Sequence, residues 1–348
     1  MNHMDAQERQ LLGTTAALFG AALWGFSGAC AQISLGSFDV SPLFITLVRA
    51  WIAAVLLIGF SLIRYRRQMA ALLSSPRDRW LLLVFGIGLF ASQLTYVQSV
   101  SLTNAGTATV LQSLATVLVM GFACMRTRRL PYAPEAAGLA CALASTWLIA
   151  THGDPAALAM PVEGIIWGLA NALAVALYII RPRPLYDRYP AIPVAALGLG
   201  ASAVLSLGCW MAQGALGGST PMPSLDARGW VMLAGGIGVL GTACAFGLYL
   251  FGVAVVESVK GSLFGAAEPI SAMLLTALWI GAPISASEWA GLVLMVAMIV
   301  LVSWNGRMPA RTESALPLPS QADEDQRSSA REGRSLPLND TEEPPCSR

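Results

Sequence analysis

The stretch Leu263–Ala277 reads Leu-Phe-Gly-Ala-Ala-Glu-Pro-Ile-Ser-Ala-Met-Leu-Leu-Thr-Ala. It places one carboxylate, Glu268, in an otherwise uncharged run and sets Pro269 directly after it. A charge in hydrocarbon is costly, so this carboxylate belongs against protein or water. Pro269 removes one backbone donor and loosens the helix around it. Together they predict a bent helix with an ionisable group near mid-membrane.

The rest of the chain supplies the membrane. Of its 348 residues 55% are hydrophobic and 12% charged, more apolar than a soluble domain tolerates. The formal net charge is +1, with no basic, aromatic-interleaved patch, so no nucleic-acid partner is expected. The six cysteines form no CxxC pair, which argues against a disulfide framework or a zinc site. No metal and no cofactor are expected. Residues 1–10 are polar and mixed in charge, and the first apolar run reads as a retained membrane helix.

Ten apolar segments of about membrane-spanning length run over 11–33, 42–63, 80–100, 105–125, 134–151, 163–181, 191–212, 230–252, 259–281 and 287–304. The fold class expected is an all-α integral membrane protein. Basic residues alternate between loops. Arg64, Arg66, Arg67, Arg77 and Arg79 follow the second segment, and Arg126, Arg128 and Arg129 the fourth. Arg181, Arg183 and Arg188 follow the sixth, Lys260 the eighth, and Arg307 and Arg311 the tenth. The alternate loops hold only Arg228. By the positive-inside rule both termini are cytoplasmic. Residues 307–348, rich in Pro, Ser, Glu, Asp and Arg, read as a disordered cytoplasmic tail.

The ten segments also repeat. Glu135 and Glu288, Gly138 and Gly291, and Met120 and Met273 are each 153 positions apart. Trp80 with Trp230, Gly86 with Gly236 and Gly88 with Gly238 share an offset of 150. The chain reads as two five-helix units, 11–153 and 163–306. Five is odd, so the second unit enters the membrane from the opposite side. Such inverted repeats are the architecture of many secondary transporters, with a shared cavity at their interface.

Polar residues at helical spacing within apolar segments mark what faces that cavity. The third segment carries Ser92, Tyr96, Ser99 and Thr103, and the eighth Thr242, Phe246 and Tyr249. The fourth carries Thr109, Gln112 and Thr116, and the ninth Gly261, Gly265, Glu268 and Ser271. The first offers Trp24, Ser27 and Gln32, the sixth Asn171 and Tyr178, and the second Arg49. Ser and Thr in membrane helices more often tie helices together. Gly235, Gly236, Gly238 and Gly241 read as close-packing points rather than a phosphate loop. Arg49 is an ion-pair partner or helix cap on the structural reading. Glu268 is a substrate-amine or proton site, or a carboxyl bonded to a neighbouring helix. Glu135 and Glu288 read as helix starts, where an acid suits the N-terminal dipole.

These residues also resemble a known family. Ala-Leu-Trp-Gly at 22–25, Leu-Val-Arg-Ala at 47–50, Ala-Thr-Val-Leu-Gln at 108–112, Ala-Glu-Pro-Ile at 267–270 and Glu-Trp-Ala-Gly at 288–291 look like the EamA branch of the drug/metabolite transporter (DMT) superfamily. Ser-Gly-Ala-Cys-Ala-Gln at 27–32 and Thr-His-Gly-Asp-Pro at 151–155 are similar to its YicL-like subgroup. The resemblance implies a ten-helix transporter of the bacterial inner membrane that moves small metabolites, often amino-acid-like or amphiphilic and frequently outward. One departure concerns the opening stretch: the repeat mate of Glu268-Pro269 is Ala115-Thr116, so one charged site rather than a symmetric pair is expected.

The sequence therefore predicts a secondary transporter working by alternating access in a lipid bilayer. Substrate and coupling candidates are Glu268, Gln112, Tyr96, Trp24, Arg49, Tyr249, Asn171 and Tyr178, with Pro269 bending the helix. Protons or a counter-solute are the coupling alternatives, and the oligomeric state stays open. A non-transporting scaffold or receptor is the alternative; it expects no cavity between the repeats. An enzyme is less expected: the two histidines, His3 and His152, lie apart, and no HExxH, nucleotide motif or paired intramembrane carboxylates occur.

Overall fold

The structure, a computed structural model, describes residues 6–154, 160–216, 222–256 and 264–304. His3, Lys260, Gly261, the predicted tail at 307–348 and the first residues of the ninth segment lie outside them. Every regular element among the described residues is a helix. In chain order these are α1 (Ala6–Phe38), α2 (Pro42–Arg64), α3 (Arg66–Ser74), α4 (Pro76–Leu102), α5 (Ala105–Gln112), α6 (Ala115–Thr127) and α7 (Ala133–Thr151). There follow α8 (Val162–Ile180), α9 (Arg183–Tyr186), α10 (Ala191–Ala215), α11 (Ala227–Val255), α12 (Ala267–Leu278) and α13 (Ala286–Trp304). Among the described residues nine spans are long and apolar enough to cross a membrane, α5 and α6 counting as one. The ninth predicted segment is represented by the shorter apolar helix α12.

Local chemistry sets the helix starts. Ser41 and Ser75 each precede a proline and accept from the backbone N–H of Phe44 and Asp78. Asn104 accepts from Thr107 and Asp226 from Gly229 in the same way. These side chains satisfy donors that no helical carbonyl can reach. Leu102 and Ala105 bound the tight hairpin expected between α4 and α5. Helix α3 was not expected. It buries Met69 and Leu72 within the arginine-rich loop after the second span.

Two predicted segments depart from continuous helices. Between α5 and α6 the Thr116 N–H returns to Ser113 O at 3.0 Å instead of reaching four residues back. The Ser113 hydroxyl donates to Thr109 O at 3.0 Å, beside the Ser113 N–H, which reaches the same carbonyl at 3.1 Å. Before α12 the turn falls at Gly265–Ala266. Pro269 would have bonded Gly265 O; lacking an N–H, it leaves that carbonyl to Glu268 N at 3.1 Å. The expectation of a helix bent at Pro269 is therefore corrected. Pro269 sits in the first turn of a new helix, where a missing donor costs nothing. A third irregularity is Val231–Cys244 in α11, wound with wide turns so that Ala245 N–H reaches Leu240 O.

The principal packing pairs cross the sequence midpoint. Helix α4 lies on α8 and α10, while α11 lies on α1 and α2. Helices α5 and α6 lie on α8, while α12 lies on α1. The remaining pairs are α2 with α10, α7 with α13, and α5 with α12. Lipid gives helices little hydrophobic reason to associate, so close van der Waals fit carries the contact. The tightest fit for function is at Gly25 of α1. A Cβ there would stand 2.6 Å from Ala272 N and 2.7 Å from Glu268 O. Of the four glycines read as packing points in α11, Gly236, Gly238 and Gly241 meet Cys30, Ile52 and Ser27, but Gly235 meets nothing within 4 Å.

Polar clasps tie the ends. Asp78, fully buried at the start of α4, accepts from both terminal guanidinium nitrogens of Arg188 and from the Tyr189 hydroxyl at 3.0 Å. Glu135 caps α7 through Tyr132 N at 2.8 Å and takes a bidentate pair from Arg129 at 2.7 and 2.8 Å. Glu288 at the start of α13 accepts from Ser285 N at 2.8 Å, Thr107 Oγ1 at 2.9 Å and Asn104 Nδ2 at 3.3 Å. Both glutamates thus begin helices, and Glu288 also fastens α13 to α5. Gly25→Val is expected to cost about 1–3 kcal/mol through overpacking against backbone that cannot yield. Thermal unfolding in detergent should fall accordingly, while Gly121→Ala, with nothing within 4 Å, should match the native protein.

Candidate functional site

The two interrupted helices meet at their breaks. Gln112 is the last residue of α5, and Glu268 lies in the first turn of α12. The start of a helix is the favourable place for a carboxylate, because unpaired N–H groups point at it. Gln112 Nε2 donates to Glu268 Oε1 at 2.7 Å. Gln112 Oε1 in turn accepts from Asn171 Nδ2 of α8 at 2.9 Å. Asn171 Oδ1 accepts from the Ser92 hydroxyl of α4 at 3.1 Å. Four side chains on four helices thus form one directed chain of donors ending on the carboxyl.

Glu268 and Gln112 line a cavity of about 60 Å³, room for a few water-sized groups. Its walls include Trp24 and Ser27 of α1, Arg49 of α2, Leu89, Ser92, Gln93 and Tyr96 of α4, Tyr178 of α8 and Phe246 of α11. Trp24 is held by Phe246 at a ring distance of 5.1 Å and by Tyr249 at 4.7 Å. The Tyr96 hydroxyl lies 2.9 Å from Thr109 Oγ1. Thr109 spends its own proton on Ala105 O at 2.7 Å, so Tyr96 is the donor. Arg49 Nε donates to Thr242 Oγ1 at 3.3 Å, whose proton goes to Ile237 O at 2.8 Å. The wide turns of α11 make this second bond, five residues back, possible.

Of the eight candidates, six line the cavity: Glu268, Gln112, Tyr96, Trp24, Arg49 and Tyr178. Asn171 stands behind Gln112 and orients it. Tyr249 stands behind Trp24. Several other polar residues serve the framework instead. Gln32 caps α5 by accepting from Ala105 N at 2.8 Å. Ser99 bonds Gly164 O at 3.0 Å, and Ser271 bonds Ala22 O at 3.2 Å. Gln93 was missed. Its amide oxygen and nitrogen are both buried without a protein partner, as is the Ser27 hydroxyl. The signal was present: an amide beside Ser92 in an apolar run lies only one helical step off the face counted through 92, 96, 99 and 103.

The EamA-like transporter family profile matches this chain twice, over residues 11–151 and 162–304. The chain belongs to the EamA-like transporter family. Both matches contribute to the cavity, 11–151 through Arg49 and Gln112, 162–304 through Tyr178 and Glu268. This EamA chain is 30% identical over 298 residues to the uncharacterized inner membrane transporter YicL of Salmonella typhimurium, covering 84% of this chain and 96% of that one. It is 25% identical over 180 residues to the uncharacterized transporter YwfM of Bacillus subtilis, covering 50% and 56%. A solved crystal structure shares the fold at a TM-score of 0.58 and 23% identity, over 83% of this chain and 96% of the other. The EamA family and both relatives' names are those of transporters rather than enzymes.

Asn171→Leu is expected to leave Gln112 Oε1 and Ser92 Oγ without their partners, at about 1–3 kcal/mol. Fluorescence-monitored unfolding in detergent would show the loss as a lower Tm. The double variant Asn171→Leu/Gln112→Leu should lose less than the two singles added, because one chain is broken twice. Strictly additive losses would mean that the two amides act independently.

Proposed function

We propose that this protein is a secondary transporter of small organic metabolites, amino-acid-like or amphiphilic, moving them outward across a bacterial inner membrane by alternating access. The reading rests on one observation above the rest: a polar cavity walled by helices from both family matches, with a carboxyl at the junction of two broken helices. Broken helices at a repeat interface are where transporters place solute and coupling-ion sites. Glu268 provides charge recognition or a proton step. Gln112, Tyr96 and Trp24 shape the cavity, with Tyr178 and Arg49 also in its walls.

The two units, 11–153 and 163–306, are inverted repeats of five helices each, with both termini cytoplasmic. Packing supports this. Exchanging each span for the one five places on turns the α4–α8 pair into α11–α1, and α4–α10 into α11–α2. The same exchange turns the contact of α5 and α6 with α8 into that of α12 with α1. Rocking one unit against the other would widen the small cavity toward either side in turn. A scaffold expects no such cavity, and buried, unpartnered amide groups would be a pure cost to it.

Cells with and without the protein should differ in the external level of at least one small metabolite in a mass-resolved export screen. Glu268→Gln, assayed by flux of that solute into proteoliposomes at several pH values, should lower flux at least tenfold or flatten its pH dependence. Unchanged flux with an unchanged pH profile would remove Glu268 from the mechanism.

A further inference from the structure

The arginines after the second span form a surface of their own. Arg64, Arg66, Arg67, Arg77 and Arg79 are all exposed, on and around α3. Asp78 is the sole acid in the sequence between Asp39 and Glu135, and it is buried beneath Arg188 and Tyr189. Among the described residues no carboxylate pairs with any of the five arginines. The Asp78 clasp also draws the connection between α8 and α10 alongside. There Arg181, Arg183 and Arg188 are exposed, with Asp187 as the one acid among them. Leu72 of α3 and Leu185 of α9 share one buried cluster. Two basic loops, one from each family match, thus make one positive face. The basic loop between α6 and α7 is built differently: Glu135 takes Arg129 in a bidentate pair. Crowding like charges destabilises a compact state, so the face around α3 is costly unless an anion answers it. An apolar rim borders it: Ile63 is 89% exposed, Trp80 64% and Leu73 48%.

We propose that α3, with the adjoining ends of α2 and α4, is a binding surface for anionic phospholipid. The arginines take the headgroup phosphate, and Ile63, Leu73 and Trp80 meet the acyl chains. A planar guanidinium fork matches phosphate oxygens by two parallel bonds. Tryptophan beside a span sits at headgroup level, where one end of its ring is wet and the other apolar. A soluble phosphate would answer the arginines but make no use of the apolar rim, whereas a lipid answers both. Orientation in the membrane needs only an excess of basic residues on one side. It does not require that acids be absent, nor that α3 be fixed. Met69 and Leu72 are buried, and α3 lies on α2, α4 and α10, so its arginines are held in place. Lipid bound there braces the ends of spans from both family matches, since α2 and α4 belong to one and α10 to the other.

The full chain in mixed micelles of detergent and phosphatidylcholine provides the test. Phosphatidylglycerol replaces phosphatidylcholine stepwise while tryptophan fluorescence follows thermal unfolding. The wild-type Tm should rise saturably with phosphatidylglycerol, and added salt should weaken the effect, because exposed charges are screened. An arginine at a membrane surface is worth about fivefold in affinity for anionic lipid. Arg66→Gln/Arg67→Gln should therefore raise the half-saturating lipid fraction at least tenfold. Arg126→Gln/Arg128→Gln, the same charge change in the loop between α6 and α7, should raise it less than twofold. Trp80→Ala should raise it about threefold. Each variant's own Tm in phosphatidylcholine alone, with its size-exclusion profile, gives its baseline and shows that it is folded. Glycerol 3-phosphate and inorganic phosphate, at matched concentration, should give no saturable rise. Equal stabilisation by the two lipids overturns the proposal, and so does an equal loss in the two arginine pairs. A rise given as well by glycerol 3-phosphate also overturns it, in favour of a soluble phosphate at the same arginines.

Discussion

A hydrogen bond between an amide and a carboxyl, Gln112 to Glu268, governs how this membrane protein is built around its centre. In hydrocarbon neither group would find a partner, so each must be met by protein or by the polar cavity. Meeting them requires α5 and α12 to present side chains end-on, at their termini rather than along a face. The helices break there, α5 giving way to α6 at Ser113–Leu114 and α12 starting after the turn at Gly265–Ala266, where Pro269 leaves the Gly265 carbonyl to Glu268 N. Each break is local chemistry, yet together they bring the end of one helix to the start of another.

Close packing then determines what else can be near. Gly25 lets α1 lie against the first turn of α12, almost touching Glu268 O and Ala272 N. That approach carries Trp24 to the cavity beside Glu268. Phe246 and Tyr249 of α11 pack against the indole. The polar groups are thus held by hydrogen bonds and the aromatic wall by van der Waals contact.

Much of this was legible in the chain. Apolar runs are a direct consequence of a bilayer, and among the described residues nine of the ten fall on helices of spanning length, the ninth segment on the shorter α12. Glu268, Gln112, Arg49 and Tyr96 stood out because polar groups are expensive there, and they do share one cavity. What the sequence did not carry was register in three dimensions. Gln32 and Ser271 have the same credentials as Gln112 but are spent on helix caps and helix contacts. Gln93 passed unnoticed because periodicity was counted from Ser92, although a cavity wall takes in neighbouring positions on the face. The break at Ser113–Leu114 was hidden too: nothing in the apolar run from 105 to 125 marks where the backbone bonds shorten to three residues.

The chain from Ser92 through Asn171 and Gln112 to Glu268 has a direction, since Ser92, Asn171 and Gln112 each donate a hydrogen bond to the next and Glu268 accepts the last. An amide reversed at either middle position would face donor with donor and acceptor with acceptor. The four residues come from α4, α8, α5 and α12, far apart in sequence, yet they share one grammar. Descendants of this protein therefore cannot edit one of these letters freely. A lineage that trades Gln112 for another residue inherits pressure to rewrite Asn171 as well, and the four positions should diverge as a word rather than letter by letter.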